Sequence, residues 1–181
     1  TPRVERDGKL TGGEPALLLL DEAAETRAYS PATGLVGANT PQPALGHTLL
    51  GDELLTLTPS ACFRRESALA EHVRFAGAVA RQGSQCTSVS GRRALIATPP
   101  AADGGEWSLL LLNDEGDVET LLGSLPRVRG LCVSADESAL FLSTDDAILC
   151  ARLDLDAEAA SRPAVWTSLA DATDLAMDVD G

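Results

Sequence analysis

Apolar residues in this chain fall in short unbroken runs, and no long stripe with a 3.6-residue period appears. Runs of four to eight apolar residues closed off by Gly, Pro, Asn, Asp or Ser predict strands. "ALLLLD" and "TRAYS" are followed by the turn "SPATG" (Ser30 to Gly34). "HTLLGDELLTLT" (His47 to Thr58) predicts a hairpin with Gly51 and Asp52 at its tip. "RRALIAT" (Arg92 to Thr98), "WSLLLLNDEGDVETLL" (Trp107 to Leu122) and "RVRGLCVSADESALFLSTDDAILCARLDLD" (Arg127 to Asp156) continue the series. "AVWTSL" and "DLAMDVDG" close it. "ESALAEHV" (Glu66 to Val73) fits a strand or one turn of helix, and "LDAEAASR" (Leu155 to Arg162) reads as a long connection.

Runs such as "LLLL" (Leu109 to Leu112) do not alternate with polar residues. A sheet buried on one face alternates, so these sheets are expected to be covered on both. Strand groups return at about the 40–50-residue interval of propeller blades. The expected fold is therefore all-β, a single β-propeller domain over 1–181 that looks truncated at both ends. It holds about three and a half to four blades of four-stranded antiparallel sheet. Trp107 and Trp166 are expected to pack between blades.

Charge narrows the function classes. The net charge is −13, and Lys9 is the one lysine. A nucleic-acid partner needs clustered Lys and Arg, so none is expected. No apolar run nears the ~20 residues of a membrane helix, and no membrane partner is expected. Cys62, Cys86, Cys132 and Cys150 are far apart, with no CxxC pair to suggest zinc. Reduced thiols fit a cytoplasmic location.

The motifs, in order, resemble the regucalcin–gluconolactonase family of six-bladed propellers, also called senescence-marker-protein-like. "LLLLDEAAETRAYSPATGLV" is similar to that family's first-blade pattern, and "RQGSQCTSVSGRRALIAT" to the segment that ends in Gly-Arg…Gly-Thr. "SLLLLNDEGDVETLLGSLPRVRGLCVSADESALFLSTDDAILCARLDLD" resembles the central blade, and "LADATDLAMDVDG" the Pro-Asp-Gly…Asp-x-x-Gly segment. The resemblance implies a six-bladed ring, a divalent metal (Ca²⁺, Zn²⁺ or Mg²⁺) on its axis, and hydrolysis of sugar lactones. Oxygen ligands suit such a cation, which polarises a carbonyl or activates water beside a general base.

Carried over position by position, the ligand set is incomplete. The family's central Asn falls on Arg129, which has no acceptor and cannot ligate a metal. Its later Asp falls on Thr173, and a one-residue slip in that loop makes Asp174 the ligand and catalytic carboxylate. The substrate-side Asn falls on Gly83 and its Asp neighbour on Ser84, while the family's Arg is kept as Arg81. Glu5 stands where the first Glu is expected, with Glu14 closer to the strand. Two readings follow: a metal-dependent lactone hydrolase built on Asp174, Glu5 and Arg81, or a non-catalytic propeller that binds a ligand or protein and needs no metal. No G-x-S-x-G elbow accompanies His47 or His72. Asp145, Asp146, Asp154 and Asp156 lack the spacing of a calcium loop, and Asp in blade turns ordinarily caps its own backbone.

Overall fold

The computed structural model describes residues 44–65, 73–170 and 175 in full. It describes 2–4, 10–12, 17–20, 26–30 and 34–37 as strands. Eighteen strands and no helix occur among the described residues. Pro2–Val4 (β1) pairs with Leu10–Gly12 (β2), and Leu17–Leu20 (β3), Thr26–Ser30 (β4) and Gly34–Gly37 (β5) form a three-stranded meander.

Three larger antiparallel sheets follow. The first is Gly46–Leu50 (β6), Glu53–Leu57 (β7), Cys62–Arg65 (β8) and Val73–Ala76 (β9). The second is Gln85–Val89 (β10), Arg93–Thr98 (β11), Trp107–Leu112 (β12) and Val118–Leu125 (β13). The third begins with Gly130–Val133 (β14), Ala139–Ser143 (β15) and Ala147–Asp154 (β16). Its outer layer is split, because Ala159–Ala160 (β17) and Ala164–Ser168 (β18) pair with opposite halves of β16.

The sheets are stacked face to face. Leu50, Leu55, Leu57 and Cys62 of the first sheet meet Ala94, Ile96 and Leu112 of the second. Leu95, Ala97, Leu109 and Leu111 of the second meet Leu131, Leu140, Leu142 and Ala151 of the third. Neighbouring residues of β11 thus point to opposite partners, and each finds apolar cover. The unbroken run "ALIA" has this cause.

The first strand of each sheet, β6, β10 and β14, also touches the first strand of the next. That is the convergent end of a wedge. The sheets are blades of a partial β-propeller, with β6, β10 and β14 innermost. At one end of the blades the hairpins are latched in series. Arg92 in the β10–β11 turn donates to Glu53 of the preceding blade at 3.0 Å. Glu137 in the β14–β15 turn accepts from the Ser90 amide at 2.7 Å. Gly116 (φ +92°) lies so close to the Phe75 carbonyl that a Cβ there would stand 2.7 Å from it.

Candidate functional site

The loops that enter each inner strand, and the loops joining the second and third strands of each blade, emerge at the end opposite those latched hairpins. They carry Arg81, Gly83, Arg129 and Asp145. The residue just before each inner strand occupies an equivalent place. Leu45 donates its amide to Leu57 O, and Arg129 donates its amide to Ser143 O, both at 2.8 Å. Ser84 stands in the same place before β10, opposite Thr98.

A buried threonine ends β11 (Thr98) or directly follows β7 (Thr58) and β15 (Thr144). Thr58 Oγ1 donates to Ala61 O at 2.8 Å and Thr144 Oγ1 to Ala147 O at 2.9 Å, folding both loops back on themselves. In the middle blade the loop is longer, and Thr98 Oγ1 instead accepts from Ser84 Oγ at 3.1 Å. Ser84 Oγ also accepts the Arg81 amide at 2.9 Å. With Ser84 N donating to Arg81 O at 2.9 Å, residues 81–84 form a closed turn. Gly83 (φ +88°) takes the left-handed place in it, which suits glycine.

The side chains at this end are partnered within their own blades. Arg81 Nη1 donates to Pro99 O at 2.8 Å, fixing the stem while leaving the rest of its guanidinium exposed. Arg129 Nε donates to Asp145 Oδ1 in an ion pair. The Asp145 partnership was not foreseen from the sequence, where "TDDA" reads as an ordinary Asp-rich turn. The register supplies it: Arg129 precedes β14 and Asp145 follows β15, opposite one another at the same end of a hairpin. Other acidic turns behave as expected, with Asp154 capping the Ala157 amide at 3.0 Å.

Of the residues expected to form a site, Arg81, Gly83 and Arg129 come to one face. Glu5, Glu14, Thr173 and Asp174 lie outside the described residues. A hard cation on the axis needs carboxylate or amide oxygens. Leu45, Ser84 and Arg129 are an alkyl group, a hydroxyl already bonded on both sides, and a permanent cation. Among the described residues, this donor set does not fit a divalent metal. A cleft of about 580 Å³, lined by Leu122, Ser124, Pro126, Leu149, Arg162 and Pro163, lies between β13 and the outer part of the third blade. It is separate from the ends of the inner strands.

No protein-family model matches the sequence, and no curated protein does. Solved structures do match. Regucalcin from Agrobacterium tumefaciens, a calcium-binding protein, superposes with a TM-score of 0.64 at 15% identity over 80% of this chain and 52% of its own. A gluconolactonase from Xanthomonas campestris gives 0.70 at 14% identity over 92% and 64%. A luciferin-regenerating enzyme gives 0.61 at 11% identity over 91% and 58%. The shared feature is the propeller. At these identities the likeness establishes the fold alone, and this chain spans from about half to under two thirds of each neighbour's length.

Proposed function

We propose that this chain belongs to a protein of the regucalcin–gluconolactonase type, and that its inner-strand face takes a small sugar lactone or a closely related ligand. The observation that carries this reading is the propeller shared with the Xanthomonas gluconolactonase across 92% of the chain. The placement of Arg81, the substrate-side residue of the resemblance, on the inner-strand face supports it.

In the hydrolytic form of the reading, Asp174 is the general base. It takes a proton from water as the water oxygen attacks the lactone carbonyl carbon. The ring C–O bond then breaks, and the same proton passes to the departing ring oxygen, leaving a hydroxy acid. The exposed part of the Arg81 guanidinium donates to oxygens of the sugar.

A second reading, ligand binding without catalysis, is favoured by the Arg129–Asp145 pair and by the committed Ser84 hydroxyl. One experiment separates the two: titrimetric hydrolysis of glucono-δ-lactone, with and without Ca²⁺, Zn²⁺ or Mg²⁺. Hydrolysis above the spontaneous rate that disappears in Asp174→Asn supports the enzyme. No hydrolysis, together with a rise in melting temperature on adding the sugar, supports the binding protein, because a ligand of the native state stabilises it. If neither is seen, both readings fail.

A further inference from the structure

We infer that Arg129 is a chain-borne cation that makes this face a carboxylate-binding site, needing no metal, with a sugar acid as its ligand. The carboxylate rests on the geometry of Arg129. The choice of a sugar acid, the ring-opened form of a lactone, rests on the function proposed above.

Arg129 is held at both ends. Its amide is fixed to Ser143 O at 2.8 Å, and its Nε is spent on Asp145. A guanidinium carries five N–H groups in a rigid planar fork. Once Nε is taken by Asp145, the two outward Nη groups remain, and no described residue partners them. Their geometry matches the two oxygens of a carboxylate, which accept in parallel. The side chain is 31% exposed, so a ligand reaches it while the protein still fixes its direction.

Arg81 enters the same face from the preceding inter-blade loop. Its Nη1 is anchored to Pro99 O at 2.8 Å, and the rest of its fork is exposed to a ligand's hydroxyls. Neither Leu45 nor Ser84 supplies a competing carboxylate from the equivalent places. Asp145 is the acid in direct contact, and it is turned to Nε. Asp145 balances the charge of Arg129, but the Nη groups still present N–H donors, which an anion accepts from and a divalent cation cannot use. An uncharged lactone offers the fork one carbonyl oxygen, and an acid offers two that share a full negative charge. The acid is therefore expected to bind about tenfold more tightly.

The test is isothermal titration of the whole chain with sodium gluconate in EDTA, with sorbitol as the uncharged control. Gluconate is expected to bind and sorbitol not to. Arg129→Gln should weaken gluconate binding about tenfold or more, while Arg152→Gln, an exposed arginine of β16, should leave it unchanged. Should Arg129→Gln fail to fold, Arg129→Lys keeps the charge without the fork and is expected to bind gluconate more weakly than wild type. Gluconate binding that requires Ca²⁺, that equals sorbitol binding, or that survives Arg129→Gln unchanged overturns the inference. Lactone hydrolysis, measured in parallel without EDTA and with and without added Ca²⁺, Zn²⁺ or Mg²⁺, separates the two proposals. Hydrolysis without gluconate binding removes this inference alone, and gluconate binding without hydrolysis supports it while counting against the enzyme.

Discussion

Asp136 shows how single side chains set the blade turns. Its carboxylate accepts from Ser134 Oγ at 2.6 Å, from the Ser138 amide at 3.1 Å and from Ser138 Oγ at 2.8 Å. The Ser134 hydroxyl foremost, then the Ser138 amide and hydroxyl, hold its pKa down at about 2, against 3.8 in an unstructured chain. Folding therefore favours the ionised form. The stabilisation is present above about pH 4 and is lost as pH falls through about 2. Carboxyl NMR titration should show this depressed midpoint, and Ser134→Ala should move it back up. Arg65 has the opposite character. It is buried, Nε and Nη2 have no hydrogen-bond partner among the described residues, and burial pulls its pKa down to about 10. Arg65→Met, which keeps the stem and removes the two unsatisfied nitrogens, is expected to stabilise the chain by about 1–3 kcal/mol in thermal or denaturant unfolding. The thiols follow the same logic. Burial raises Cys62 to about 11 and Cys86 to about 12, so iodoacetamide at mildly alkaline pH should spare both until the chain unfolds. The turn role of Asp was legible in the sequence because it depends on neighbours two residues away. The cost at Arg65 was not, because it depends on what another strand brings.

At the scale of the element, the sequence revealed most where a strand is covered on both sides. β7, β11, β12 and β15 are middle strands of their blades, and their apolar runs stood out. β8 ("CFRR") and β9 ("VRFA") escaped notice because their arginines interrupt the pattern. There Arg64 lies over the Phe75 ring, 4.9 Å from its centroid, and 3.7 Å from Glu53, so these strands are held partly by charge and stacking. "LDAEAASR" is a connection as expected, but its middle adds the two-residue strand β17. The double cover of β11 has a measurable consequence. Leu95 and Ile96 are adjacent, point to opposite blades, and are both fully buried. In a one-sided sheet one of the two would tolerate truncation. Here Leu95→Ala and Ile96→Ala should each cost about 2–5 kcal/mol in chemical denaturation. If one of them proves neutral, the stacking of three blades is wrong at that face.

Across the whole molecule, the wedge arrangement was legible because repeat spacing and apolar runs are properties of one chain. The site was legible only in part. Arg129 and Gly83 marked two positions where the resemblance breaks, but what Arg129 does there depended on Asp145, across a hairpin. The tryptophans divide along the same line. Both were expected between blades. Trp107 packs against the core shared by the second and third blades, whereas Trp166 is 65% exposed. Trp166 touches Phe141 edge-on at 5.4 Å, on the face of the third blade turned away from the second. In the register, Cys132, Phe141 and Cys150 form one row on that face, all three partly exposed. The second blade has apolar cover on both faces, and the described residues give the third blade cover on one. Two optical signals should therefore separate. Acrylamide should quench Trp166 efficiently and Trp107 poorly, with Trp166→Phe removing the quenchable, red-shifted component. Trp166→Glu should lower binding of a hydrophobic dye while moving the melting temperature little, because the edge-on ring contact is worth about 1 kcal/mol. Equal quenching of the two tryptophans would mean that this face is covered in solution, and the third blade would then be as enclosed as the second.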